Sequence, residues 1–216
     1  MAAYNLEEQE QISQIKAWWE QYGTLVTTVI IAVAVGVAGW QVWGWYKSKQ
    51  MAEASGIYFV IQQASAEGNA GKARDAAGQL IEGYAGTAYA ELGALLAAAV
   101  QIREGADSRN ALSQLEWVAN HGRTPGVRDL ARLRIAVVLF DAGDYEGALA
   151  RLEDEPDASL VARFEDLRGD VLAALGRGDE AHAAYQAALA ALVSAQGQSG
   201  ETLRIVVRTK IDALEL

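Results

Sequence analysis

Between Glu20 and Lys47 the chain carries no charged residue at all, and nothing else in it restricts the fold so strongly. The core of this run is Thr24 to Tyr46 (TLVTTVIIAVAVGVAGWQVWGWY); as a helix it would reach roughly 35 Å, enough for the hydrocarbon layer of a bilayer. Five of the six tryptophans bracket it. Trp18 and Trp19 stand with Tyr22 on one side, and Trp40, Trp43 and Trp45 with Tyr46 on the other, where amphipathic rings would meet two headgroup layers. A cleaved signal peptide is the main competitor, because Ala52-Glu53-Ala54 has the small-x-small form of a cleavage site. Against it, the preceding region carries Glu7, Glu8 and Glu10 rather than basic residues, the apolar run is too long, and Lys47 and Lys49 intervene. The expectation is an uncleaved anchor embedded in the lipid bilayer, with residues 1–23 before it, 24–46 as the transmembrane helix and 47–216 after it. Positive charge is nearly balanced across the span, so it leaves the orientation open.

Two features of this region invite a partner. Ala32, Gly36 and Gly39, followed by Gly44, place small residues at spacings of four and three, which would let a second transmembrane helix pack closely; glycine is also simply frequent in such helices. Leu6 to Tyr22 has near-helical apolar spacing, predicting either a short amphipathic helix on the membrane surface or the start of the span itself.

The remainder is a different kind of sequence. Apolar residues make up 51% of the chain but aromatics only 8%, and alanine is the commonest residue, which favours small-residue helix packing over a β-sandwich or barrel. The absence of cysteine excludes disulfides, zinc ribbons, iron–sulfur centres and thiol catalysis. From position 51 onward acidic residues outnumber basic ones, a balance that argues against nucleic acid, whose phosphates require a basic face.

Repeats organise this acidic part. Leu133-Arg134 recurs as Leu167-Arg168 and Val137-Val138 as Val171-Leu172, each pair at the same offset. Gly143, Ala148 and Leu152 return as Gly176, Ala181 and Tyr185, and Leu96, Ala99, Val100, Ala111, Leu112 and Leu115 precede Leu133, Ala136, Val137, Ala148, Leu149 and Leu152 at a constant interval. Two helical stretches per period of about 33 to 37 residues is the spacing of tetratricopeptide repeats. The predicted fold is all-α: a single transmembrane helix followed by a tetratricopeptide-like helical-hairpin solenoid. Its pairs fall at about 50–84, 88–120, 126–154 and 158–193, and Glu201 to Leu214 forms a terminal capping helix. Leu203, Val206, Val207, Lys210 and Leu214 are the expected capping stripe, with the stem of Lys210 on apolar surface and its amine in water.

No catalytic constellation emerges. His121 and His182 lie far apart in the chain and neither has a metal-ligand companion at i+3 or i+4. Glu153-Asp154-Glu155-Pro156-Asp157 lacks the glycine and the alternating ligands of a calcium loop, and no phosphate-binding glycine loop occurs. The tripeptides Arg168-Gly169-Asp170 and Arg177-Gly178-Asp179 are explained by packing and turn chemistry. The expectation is a protein that is not an enzyme, with no catalytic, cofactor or metal residues. Its binding face would be the concave one, built from the first helices of the hairpins and lined by Tyr89, Leu92, Arg128, Arg132 and Arg163. With Arg134 and Arg168 these arginines invert the local charge of an acidic domain, suiting a carboxylate-bearing partner segment. The competing expectation is that they form ordinary ion pairs with Glu165, Asp166 and Asp129.

Several stretches taken in order resemble the YfgM family. They are Gln11-Ile12-Ser13-Gln14-Ile15-Lys16-Ala17-Trp18-Trp19-Glu20-Gln21-Tyr22-Gly23, the Gly39-Trp40 of the anchor, Leu130-Ala131-Arg132-Leu133-Arg134-Ile135-Ala136, Asp166-Leu167-Arg168-Gly169-Asp170 and Lys210-Ile211-Asp212-Ala213-Leu214. The resemblance implies a bacterial inner-membrane protein with a cytoplasmic amino terminus, one span and a tetratricopeptide-like periplasmic domain. It also implies association with the SecYEG translocon and with a membrane-anchored periplasmic peptidyl-prolyl isomerase chaperone, with no catalytic residues to carry over. A scaffold for another envelope assembly or division complex is the alternative.

Overall fold

A computed structural model of the chain describes residues 6–105, 108–194 and 198–214, and every regular element among them is an α-helix. The chain divides into two compact units, Met1–Gln50 and Met51–Leu216.

The first unit consists of the leading part of α1 (Leu6–Ala66). No break occurs at Gly23, so the amino-terminal stretch is the beginning of the same helix and not a separate amphipathic one; residues 1–5 of the expected leading segment lie outside the described residues. The hydroxyls of Thr27 and Thr28 donate to the carbonyls of Gly23 and Thr24 at 2.7 and 2.8 Å, so neither hydroxyl lacks a partner in an apolar setting. Trp18 packs against Tyr22 with ring centroids 5.8 Å apart, and at the other end Lys47 Nζ lies 4.1 Å from the centre of the Trp43 ring. Between these ends Leu25, Val29, Ile30, Ile31, Val33, Val35 and Val37 are all exposed. The helix is long and apolar enough to cross a membrane, and a contiguous apolar surface of this size calls for cover by lipid or protein.

In the second unit residues 51–66 of α1 pack with α2 (Ala70–Tyr84). α3 (Ala88–Arg103) and α4 (Ser108–His121) follow, then α5 (Pro125–Asp141) and α6 (Tyr145–Ala150), α7 (Val161–Ala174) and α8 (Gly178–Ser194), and finally α9 (Gln198–Leu214). This is the hairpin array that the repeat spacing predicts. One boundary differs by several residues: α6 stops at Ala150, short of residue 154. Glu153, Asp154 and Glu155 would place like charges at the negative end of the helix dipole, and Pro156 disfavours helical geometry at Glu155. The terminal helix starts slightly earlier than expected, at Gln198.

The tight turns have a local cause. At Gly143 φ is +79°, a conformation that costs any residue with a Cβ. Its N–H donates to the Phe140 carbonyl and that of Asp144 to the Leu139 carbonyl, both at 2.9 Å, which closes α5; the Asp144 carboxylate then accepts from Gly147 N–H at 3.0 Å and opens α6. Two residues thus end one helix and start the next. Gly68, Gly105 and Gly176 adopt the same positive φ inside the other three hairpins.

Small residues bring the helices together. Ala73, Ala77, Ala90, Ala97, Ala111, Ala131, Ala136 and Ala148 are fully buried. A Cβ on Gly93 would press into Leu80 and Ile61, and one on Gly169 would overlap the Tyr185 ring. Leu133, Leu167, Phe164 and Val171 share one cluster joining the third and fourth hairpins. The buried polar groups are partnered: Gln101 donates to Gln114 at 2.9 Å, and the Glu91 carboxylate accepts from Arg123 N–H at 2.7 Å, tying α3 to the loop before α5.

Candidate functional site

The third and fourth hairpins and the terminal helix enclose a groove of about 570 Å³. Leu133, Val137 and Phe140 stand at i, i+4 and i+7 on α5, one stripe of the helix, and supply one side; Leu167 comes from α7, and Leu203 and Val206 from α9. Val137 is 40% exposed and Val206 43%, so the apolar lining is open to solvent. Asp141, Arg163, Asp166, Asp170 and Thr202 form the polar rim.

One wall is held by a half-buried ion cluster. Lys210 Nζ donates to Asp166 Oδ1 at 2.7 Å and to Asp170 Oδ2 at 2.8 Å, and the Tyr185 hydroxyl donates to Asp170 Oδ1 at 2.8 Å. Burial works against the Lys210 charge, but the two carboxylates outweigh it and raise its pKa. Burial raises Asp166 more than Lys210 lowers it, and burial followed by the bond to Asp170 raises Tyr185. The Lys210 amine therefore reaches carboxylates of α7 and not water as the capping stripe suggested. Val207 and Ile211 form the buried edge of α9, whereas Val206 and Leu214 remain partly exposed.

The candidate residues on the first helices separate rather than converge. Tyr89 is half-buried in the core of the first two hairpins, its ring 5.6 Å from that of Tyr58, and Leu92 is exposed on α3. Arg128 donates to the Gly122 carbonyl at 2.9 Å, and Arg134 to the Leu95 carbonyl at 2.8 Å, with burial lowering its pKa. Arg132 pairs with Asp129 at 2.9 Å and Asp154 at 3.0 Å and lies 5.5 Å from the centre of the Phe164 ring. Arg168 pairs with Glu165 at 3.0 Å and donates to the Leu152 carbonyl. Arg163 alone of the set lines the groove; it is exposed, and its guanidinium makes no ion pair or hydrogen bond among the described residues. Ala32, Gly36 and Gly39 are exposed on α1 in the first unit, and a Cβ at either glycine would meet nothing within 4 Å.

Sequence reasoning missed Val137, Phe140 and Asp141. Val137 and its repeat equivalent Val171 are both valine, yet Val171 is fully buried in the cluster of the third and fourth hairpins and Val137 is exposed, a difference that the repeat pattern does not carry. His121 ends α4, its Nδ1 3.2 Å from the Trp117 carbonyl and its ring stacked on that indole. Among the described residues no group of three His, Asp or Glu is arranged to hold a metal.

The profile of the tetratricopeptide repeat-like domain family matches residues 16–216. A Haemophilus influenzae protein named ancillary SecYEG translocon subunit is 30% identical over 81% of this chain and 84% of its own length. Proteins of the same name from Neisseria gonorrhoeae and Aggregatibacter actinomycetemcomitans are 28% and 29% identical, over 88% and 86% of this chain and 90% of each relative. With its apolar helix of bilayer length, its hairpins and these relatives covering most of its length, the chain belongs to the YfgM family, the family of the tetratricopeptide repeat-like ancillary SecYEG translocon subunits.

Proposed function

We propose that this chain is a non-enzymatic, membrane-anchored ancillary subunit of the Sec translocon. It links SecYEG to periplasmic chaperones, among them a membrane-anchored peptidyl-prolyl isomerase, and so assists folding of exported proteins. The observation that carries this reading is an open apolar groove on a hairpin array, in a chain that also bears one helix of bilayer length. Such a groove serves to hold a partner's segment, and the relatives' shared name supplies the complex. In this arrangement residues 1–23 are cytoplasmic, 24–46 cross the inner membrane and 47–216 are periplasmic. Ala32, Gly36 and Gly39 form the face that packs on a translocon helix. Of the arginines, Arg163 acts at the groove, while Arg128, Arg132, Arg134 and Arg168 chiefly hold the fold.

Co-purification in mild detergent tests the reading. SecYEG and the isomerase should come down with the wild-type chain, and Val206→Arg, which places a charge in the groove at a position already open to solvent, should lose the isomerase. Recovery of outer-membrane assembly or division proteins in place of SecYEG would replace this reading with the scaffold alternative.

A further inference from the structure

Resting on the reading of the groove as a docking surface, we infer that its occupant is an amphipathic α-helix of a partner protein. The helix lies antiparallel to α5 and α7, with a basic residue near its amino end facing Asp141 and an acidic residue near its carboxyl end facing Arg163.

The walls select the secondary structure of the occupant. All three are helices, so there is no sheet edge to which an extended strand could add, and Phe140 is the one aromatic in the lining, too few for a polyproline groove. Leu133, Val137 and Phe140 form one i, i+4, i+7 ridge on α5, and Arg163, Leu167 and Asp170 form another on α7. Ridges so spaced receive the ridges of another helix, which satisfies its own backbone hydrogen bonds and so needs none from the groove. From Leu133 to Asp141 the wall extends about 12 Å, room for roughly two helical turns.

Charge sets the direction. Lys210 bridges Asp166 and Asp170, each within 2.8 Å of its ammonium, and offsets one of their two charges, so this wall adds to the negative character of the Asp141 end. Asp141 and Arg163 remain as exposed rim charges with no partner among the described residues. Asp141 ends α5 and Arg163 lies in the first turn of α7. As first helices of successive hairpins, α5 and α7 run the same way, which puts the two charges at opposite ends of the groove. A helix laid antiparallel brings its positive amino end to Asp141 and its negative carboxyl end to Arg163, and it opposes its dipole to theirs. The parallel orientation reverses all of these terms.

The test uses the full chain in detergent and two synthetic peptides of about four helical turns with identical composition. Both carry leucine at i, i+3, i+4 and i+7; one has lysine near the amino end and glutamate near the carboxyl end, and the other has them exchanged. By fluorescence anisotropy the lysine-first peptide should bind about fivefold tighter at low ionic strength, with the gap closing in high salt. The lysine-first peptide is the poorer helix alone, so the preference cannot come from the free peptide. Asp141→Lys combined with Arg163→Glu should invert it, and a central proline should abolish binding. Equal affinities, a preference that the double variant leaves in place, binding of the proline peptide or binding of neither peptide would overturn the inference. Co-purification is read in parallel: absence of SecYEG from the wild-type preparation removes the underlying reading, whereas its presence without peptide polarity removes this inference alone.

Discussion

Gly169 and Gly78 are both helical glycines, and alanine should move stability in opposite directions at the two. At Gly169 the added methyl overlaps the ring of Tyr185, which is buried and fixed by its bond to Asp170; the expected loss is about 1–3 kcal/mol. At Gly78 on α2 the methyl meets nothing within 4 Å, so better helix propensity should gain about 0.5–1 kcal/mol. Thermal unfolding of the two variants, with the full chain in detergent, should show shifts of opposite sign, and a gain at Gly169 would mean that α7 and α8 are not so closely packed. Leu133 and Leu167, repeat equivalents each 8% exposed in one cluster, should each lose about 2–5 kcal/mol on replacement by alanine. Losses below about 0.5 kcal/mol at both would contradict the register of the repeats.

At the scale of elements, α9 is both the cap and a wall of the groove. Val207 and Ile211 cover Leu172, Ala181, Tyr185 and Ala188, an apolar face that a hairpin array cannot leave bare. Truncation after residue 197 should therefore give an aggregating protein, and a monomeric truncate of unchanged stability would reduce α9 to an appendage. The ion cluster behind it predicts a pH dependence. Lys210 and Tyr185 both have folded pKa values raised above their ordinary 10.5 and 10.0. Their stabilisation is thus fully present below those values and is lost as pH rises through them, because the unfolded chain releases these protons first. Melting temperature should hold to about pH 9 and fall above about pH 10, and Tyr185→Phe should soften the fall. An identical alkaline profile in that variant would show that Tyr185 takes no part in it.

For the molecule as a whole, the proposed topology is open to direct labelling, since the chain has no cysteine of its own. Ser108 is exposed at the start of α4. A cysteine placed there should react with a membrane-impermeant maleimide in intact spheroplasts, and protection until lysis would put the hairpin domain in the cytoplasm.

The long apolar helix and the hairpin boundaries were legible in the sequence because each has a local cause. A charge-free run of bilayer length needs no tertiary partner to be recognised, and a glycine such as Gly143, followed by a capping Asp144, marks its turn wherever the chain goes. The candidate site was not legible in this way. Arg132 and Arg163 look alike along the chain, yet one is held between Asp129 and Asp154 and the other lies at the rim with no side-chain partner among the described residues. Lys210 reads as a solvated lysine until the fold brings it to Asp166 and Asp170, 44 and 40 residues away. Local pattern therefore determined which segments are helices and where they turn. Which of their side chains remain open to a partner depended on contacts between distant residues, and only the packed hairpins decided it.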